Sequence, residues 1–336
     1  SLMTPGMQIL VARHFKIVFN KSYGFHTYEK KKPVTNTDLY DLASLTKVLA
    51  TLPLVMKEVD QGKLTLETRL GDLNEEWEQS NKADISIQDM LSHYARLTPW
   101  IPFYKETLKK GSSKLNKKFY RKRKSKRFSI PVADYFYGKR DLPELISNQI
   151  LESELRDSLM YKYSDLPYFF MKDLFENRYN ESLEVLARDS FYIPLGLNRT
   201  TFNPNKNTPN QTIIPSEIDS YYRNQELKGE VHDMAAAMLG GVGGHAGLFS
   251  NASEVAVLMQ LFLNKGTYAG KRYFSAETFD QFNQCLYCDQ GNRRGVGFDK
   301  PQLEGSGSTC GCVPKSSFGH SGFTGTYAWA DPENEL

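Results

Sequence analysis

"DLASLTKVLA", residues 41–50, sets Ser44 three residues before Lys47, where an apolar run begins. From Ser44 to about Gln61 the residues Leu45, Val48, Leu49, Leu52, Val55 and Met56 fall near helical spacing, and Gly62 supplies a stop. The spacing predicts a helix with Ser44 and Lys47 on one face of its first turn. Serine is a poor nucleophile at neutral pH, and a neutral lysine within reach can take its proton. Burial and the helix N-terminus both disfavour an ammonium, which predicts a lowered lysine pKa. Free backbone N–H groups at the same helix start can hold an oxyanion. Taken alone, S-x-x-K reads more plainly as a capping serine and a lysine whose stem covers apolar surface.

Working outward, residues 7–23 read as two strands joined at His14–Phe15. "ISIQDMLSHYARL" begins an amphipathic helix with Ser86 as its cap. Helical patterns return around 142–176 and 181–192, and "FNPNKNTPNQTIIPSE" is a loop. The Gly-rich "MLGGVGGHAGLFS" leads into a helix capped by Ser250 or Asn251. "RRGVGFDK" and "GTYAWADPENEL" read as strands. Strands at both ends and helices between predict an α/β fold of the α+β type: an antiparallel sheet flanked by helices, built from both chain ends, with a large inserted helical domain. The sheet domain is expected over 1–70 and 291–336 and the helical domain over 71–290.

The chain has 336 residues, too long for one small core, and 40% hydrophobic content suits a soluble globular protein. No segment approaches the unbroken apolar length of a membrane span. Net charge is +3, but residues 105–127 hold twelve Lys and Arg against Glu106 alone, a local +11 that leaves −8 for the remainder. A global nucleic-acid-binding reading therefore fails. The basic insertion suits an anionic polymer; the commoner fate of such a run is a solvated, mobile arm. The four cysteines, Cys285, Cys288, Cys310 and Cys312, read as C-x2-C then C-x-C. Disulfides, a zinc site and free thiols all remain open. The expectation set here is that the two motifs meet and staple the loop between them.

Two further motifs carry chemistry. "MYKYSDLPYFF" sets Tyr163, Ser164 and Asp165 in a row; the plainer reading is an aromatic core with a helix cap at Ser164 or Asp165. "FGHSGFTGTYAWADP" brackets His320 and Ser321 with glycines, which in a strand mark close approach by a ligand or another backbone. His320 can donate to a substrate there or sit as a structural group.

In this order, "SLTK", "YSD" and "HSG" resemble the S-x-x-K, Y-x-N and K-T-G or H-x-G motifs of the serine β-lactamase and penicillin-binding-protein superfamily. The likeness is nearest to its class C branch: class C β-lactamases, D-alanyl-D-alanine carboxypeptidases and related esterases. It spans nearly the whole chain, and "HDMAAAMLGGVGGHAGLFS" is similar to a subgroup of exported hydrolases sometimes fused to a glycosidase. The resemblance implies Ser44 as the acylated nucleophile, Lys47 as its base partner and Tyr163 as the proton shuttle. It puts His320 in the place of the third-motif lysine. Asp165, Ser321, Gly322 and Phe323 fall at substrate-binding positions, and the N–H groups of Ser44 and Phe323 at the oxyanion hole. No cofactor or metal is implied, and the location implied is the periplasm or cell envelope.

Two departures stand out. Asp165 replaces the usual Asn, so a carboxylate can pair with Lys47 and raise its pKa, against a neutral base. Arg96 stands where similar sequences have glycine. His232, Asp233 and His245 receive no catalytic role; a pocket wall fits them better than a metal site. The chain stops at Leu336, before the strand and helix that follow W-x-D-P in the family, which leads us to expect an incomplete sheet. The function expected is a serine hydrolase acting through an acyl-enzyme on a peptidoglycan-related amide or an ester. A β-lactamase and a non-catalytic penicillin- or peptidoglycan-binding sensor are the alternatives.

Overall fold

His14 and Phe15, with φ of 50° and 63°, turn the chain between β1 (Gly6–Arg13) and β2 (Lys16–Gly24), where the sequence places the hairpin. Two consecutive left-handed residues match the twist of the flanking strands. The computed structural model describes residues 4–112, 114–305 and 307–336. Burial alternates along β1, and its half-buried face meets the helix Ala252–Leu263, whose Ala252 N–H donates to Gln8 Oε1 at 2.9 Å. Asn251 caps that helix through the Glu254 N–H at 3.0 Å.

The same helix packs against a second hairpin, Phe318–Ser321 with Tyr327–Ala330. The fold is mixed α/β with antiparallel pairing, as expected. The single sheet from both chain ends is not: among the described residues the two terminal hairpins are separate two-stranded sheets. They meet through the shared helix and the tail, where His14 N–H donates to Glu335 O at 3.0 Å. "RRGVGFDK" is also not a strand beyond one bridge, Asp299 to Gly319. Its backbone turns back, Gly295 N–H to Phe298 O at 3.1 Å, and Gly297 at φ 93° breaks any ladder.

The stretch after Ser44 is helical as predicted, with a π-helical turn over Lys47–Thr51 leading into α1 (Leu52–Asp60) and Gly62 at φ 68° beyond it. All six predicted apolar positions are buried. They belong to one contiguous apolar core that continues through Tyr168 and Phe170 to Phe262, Phe298 and Phe318. Ser86 caps Ile87–Leu91 as predicted, but that helix is short because His93 and Arg96 take left-handed φ of 57° and 58°.

The basic insertion is not a free arm. Tyr120–Arg121 pairs with Phe136–Gly138, which pairs with Ile130–Ala133. Buried Tyr120, Phe128, Val132 and Phe136 anchor it, and the Tyr120 hydroxyl bonds Thr107 Oγ1 at 2.6 Å and Tyr222 Oη at 2.9 Å. Burial of these aromatics outweighs the repulsion of cations that stay in water on the outer face.

Candidate active site

Ser44 sits on a strained turn between β3 (Tyr40–Asp41) and the helix. Ala43 before it takes φ 46°, a left-handed conformation costly for a residue with Cβ. The buried Asp41 carboxylate holds this turn, accepting from Ala43 N–H at 2.8 Å and His232 N–H at 2.6 Å. The turn of the late hairpin closes on the other side. Thr324 Oγ1 donates to Asp41 O at 2.6 Å, and Thr326 Oγ1 to Leu42 O at 3.0 Å. Gly322 is required at this approach: a Cβ there would lie 2.5 Å from Leu42 O and 2.1 Å from Thr326 Oγ1. Ser44 and Phe323 both keep backbone N–H groups that donate to nothing among the described residues, available to an oxyanion. Phe323 itself is 83% exposed, with its ring 5.2 Å from that of His232. Ser321 is exposed.

Lys47 is fully buried, and its ammonium donates three ways: to Ser44 Oγ at 2.9 Å, His245 O at 3.0 Å and Asp165 Oδ1 at 2.7 Å. That exhausts its donors. Burial, the largest influence, pushes Lys47 down, but the Asp165 carboxylate and then the Tyr163 phenol outweigh it and hold the ammonium above the usual lysine range. The lowered lysine expected from helix position and burial is therefore corrected. Asp165 is free for this pairing because it makes no capping bond to its own helix, Leu166–Tyr179. Ser164 Oγ takes the Leu166 N–H instead, at 3.2 Å.

The Tyr163 ring lies 5.3 Å from Lys47 Nζ, and its buried hydroxyl has no partner among the described residues. Its ring centroid is 5.9 Å from that of His320. So Ser44, Lys47, Tyr163 and His320 come together. His320 is buried, and its Nδ1 lies 2.7 Å from Ser321 O. A carbonyl only accepts, so the proton is on Nδ1 and Nε2 carries the lone pair. Burial, then Arg294 and Lys47, hold His320 well below the usual histidine range. It is neutral where the resemblance had implied the place of a cation.

Two groups escaped the sequence reading, His93 and Arg294, and a third, His245, was read only as pocket wall. His93 stacks 4.5 Å from Tyr163, and its Nδ1 accepts from Ser164 N–H at 3.2 Å. Buried Arg294 lies with Cζ 5.1 Å from the Tyr163 ring centroid. His245, stacked on Phe169 at 4.3 Å, pairs through Nε2 with Asp233 Oδ1 at 2.8 Å while its carbonyl receives Lys47. No local spacing marks any of them, because each reaches the site from a distant loop. Among the described residues no group of three or more His, Cys, Asp or Glu is placed to hold a metal ion. The cysteines form two disulfides, Cys285–Cys288 and Cys310–Cys312, so the zinc site and the staple across the loop are both corrected. Each motif closes on itself, because its own Cα atoms stand 5.5 and 5.4 Å apart, within bridging range.

A serine, a buried lysine, a tyrosine and the glycine-bracketed strand Phe318–Ser321 gather around one turn, an arrangement suited to acyl transfer. The β-lactamase family profile matches residues 1–336, and the chain belongs to that family, as a serine hydrolase. It is 30% identical over 361 aligned residues to a protein of Escherichia coli (strain K12) provisionally named D-alanyl-D-alanine carboxypeptidase, covering 99% of this chain and 76% of that one. It is 28% identical over 370 residues to the N-acetylmuramyl-L-alanine amidase of Bacillus subtilis (strain 168), covering 99% and 75%. The octameric penicillin-binding protein homologue from Pyrococcus abyssi shares the fold, with a TM-score of 0.69 at 16% identity over 98% of this chain and 68% of that one.

Proposed function

We propose that this chain forms an acyl-enzyme at Ser44 on cell-wall peptides or small esters. The observation that carries the mechanism is the threefold donation by Lys47. A lysine held as ammonium by Asp165 is not a resting base, so it hydrogen-bonds Ser44 Oγ and stabilises the alkoxide. The Ser44 proton passes to the Tyr163 phenolate, and Oγ bonds to the substrate carbonyl carbon. The N–H groups of Ser44 and Phe323 receive the oxyanion. Tyr163 then protonates the leaving nitrogen or oxygen as its bond to carbon breaks. In the second half, water gives a proton to Tyr163 as it attacks, and that proton returns to Ser44 Oγ as the acid leaves.

The names of the relatives support a peptidoglycan-related amide. Covalent labelling by a fluorophosphonate or penicillin probe, mapped by mass spectrometry, tests the nucleophile; absence of label on Ser44 in folded protein overturns the reading. Turnover of D-Ala-D-Ala peptides, p-nitrophenyl esters and nitrocefin then ranks carboxypeptidase, esterase and β-lactamase. The Asp165–Lys47 pair favours one second reading, a sensor that acylates and does not turn over; labelling at Ser44 without product release selects it.

Two disulfides support an oxidising location such as the cell envelope. We also assign the basic insertion to an anionic cell-wall polymer. Lys126 and Arg127 face Lys139 and Arg140 across an open cleft of about 430 Å³ in which Asp141 is the one acidic lining residue. Retention on anionic polymer that falls steeply with salt is expected, and retention unchanged by replacing these four cations removes the assignment.

A further inference from the structure

Tyr163 has charged or titratable neighbours from four directions, besides the buried Tyr168 phenol on the helix Leu166–Tyr179. Lys47 approaches from the helix after Ser44, and Asp165 neutralises it at 2.7 Å. His320 faces it from the late hairpin as a neutral acceptor. His93 faces it from the loop after Ile87–Leu91. Because His93 Nδ1 accepts the Ser164 N–H, its proton is on Nε2, a buried donor without a partner among the described residues. The fourth neighbour is Arg294, 4% exposed, with Cζ 5.1 Å from the ring centroid.

Burial disfavours the Arg294 charge, but Asp299, then the Tyr161 and Tyr163 phenols, offset it and keep the guanidinium charged; its hydrogen-bonding capacity is not filled. Its Nε and Nη1 are buried without a hydrogen-bond partner among the described residues. Its nearest carboxylate is Asp299, at 3.5 Å from Nε. That carboxylate is already engaged by Arg293 at 2.9 Å, the Lys300 N–H at 3.0 Å and Ser308 Oγ at 3.1 Å. The Arg294 backbone is pinned: its N–H donates to Asn292 Oδ1 at 3.1 Å, and Asn292 Nδ2 donates to Ser92 O, beside His93, at 2.9 Å. A buried guanidinium is costly unless something nearby carries negative charge. Among the described residues beside Arg294, no resting carboxylate beyond Asp299 does so, but an ionised Tyr163 would.

We propose that Arg294 is the positioning residue for Tyr163: its guanidinium supplies the positive charge that stabilises the phenolate which takes the Ser44 proton, a charge that neutral His320 does not provide. The inference rests on the acyl-enzyme reading and deepens it. Arg294 does not touch substrate; it acts through the phenol, with the His93 Nε2–H as a further donor on the same side.

The test is the pH profile of single-turnover acylation of the full chain by a p-nitrophenyl ester, in the parent, Arg294→Gln and Arg294→Lys. In the parent the rate is expected to rise with pH to a plateau, and the pH of half-maximal rate is the quantity compared between variants. Loss of an opposite charge at this distance is expected to move that midpoint upward by about 1 to 3 units in Arg294→Gln. The neutral-pH rate then falls by roughly tenfold or more, while Arg294→Lys recovers most of the shift. A merely structural arginine would change amplitude or melting temperature and leave the midpoint in place. An unmoved midpoint in folded Arg294→Gln, with Ser44 still acylated, overturns this inference and spares the acyl-enzyme. Should Arg294→Gln not fold, Arg294→Met, which keeps more of the stem's packing, decides: a midpoint equal to the parent's overturns it. A folded parent that never acylates Ser44 overturns the acyl-enzyme reading and this inference with it.

Discussion

Lys47 and Asp165 stand at the centre of the site, and their coupling is open to measurement. Lys47→Met keeps much of the stem's packing but leaves Asp165 and the His245 carbonyl without their cation. Removing one member of a buried pair typically costs about 3–5 kcal/mol. Asp165 retains 20% exposure, so the lower end, roughly 3 kcal/mol, is expected in urea denaturation. Adding Asp165→Asn should recover a large part of that loss, and strictly additive costs would show the pair to be uncoupled. Acylation of folded Lys47→Met is expected to fall by about a hundredfold or more; labelling as fast as the parent returns the lysine to a structural role. The high Lys47 value also sets a direction. Its stabilisation is fully present below a free lysine's value of about 10.4 and is lost only as pH rises through the folded value. Between pH 7 and 9, roughly, it should therefore contribute no slope to stability.

At the scale of elements, the late hairpin has to approach the nucleophile turn within hydrogen-bond distance, and glycine permits it. Gly322→Ala is expected to push the turn 322–326 off Leu42, because backbone and Thr326 both occupy the place of the new Cβ. The Phe323 N–H moves with that turn. A misplacement near 1 Å costs about a hundredfold in rate, whereas melting should change little, since the strand ladder from Phe318 to Ala330 remains. A normal acylation rate in Gly322→Ala would remove Phe323 from the oxyanion hole. The helix start was legible in sequence through helical spacing and a glycine stop, and the strand in "GTYAWADPENEL" was read as one, but its pairing with Phe318–Ser321 was not. Nor was the mutual lock of hairpin and helix start, because Thr324 to Asp41 spans 283 residues.

At the scale of the molecule, two buried neutral histidines set the acid response. Burial, then Arg294, hold both His93 and His320 well below the usual histidine range. The unfolded chain takes up protons at these residues below about pH 6.5, while the folded protein does not. Stability should therefore fall as pH drops through that point, by about 1.4 kcal/mol per pH unit for each histidine. Urea midpoints at pH 7.5 and 5.5 measure it. His320→Gln should lose about half of the slope that these two residues contribute, and a parent without any contribution from them would mean that both protonate in the folded state.

The sequence by itself determined the helix after Ser44, the N-terminal hairpin, the cap at Ser86, and the candidate set of Ser44, Lys47, Tyr163 and His320. Each rests on short-range spacing, turn chemistry or the ordered motifs. Only the tertiary structure decided the charge states. Whether Lys47 is amine or ammonium depends on Asp165, 118 positions away and 2.7 Å distant. Whether His320 is charged depends on burial and on Arg294, which lies in a segment the sequence had read as a strand. The basic insertion was likewise read from its charge, while its fold depends on aromatic residues meeting Tyr222 about a hundred residues on. Local pattern fixes where a side chain starts; the dielectric and the opposite charges around its end are set by chain segments that meet only in the folded state.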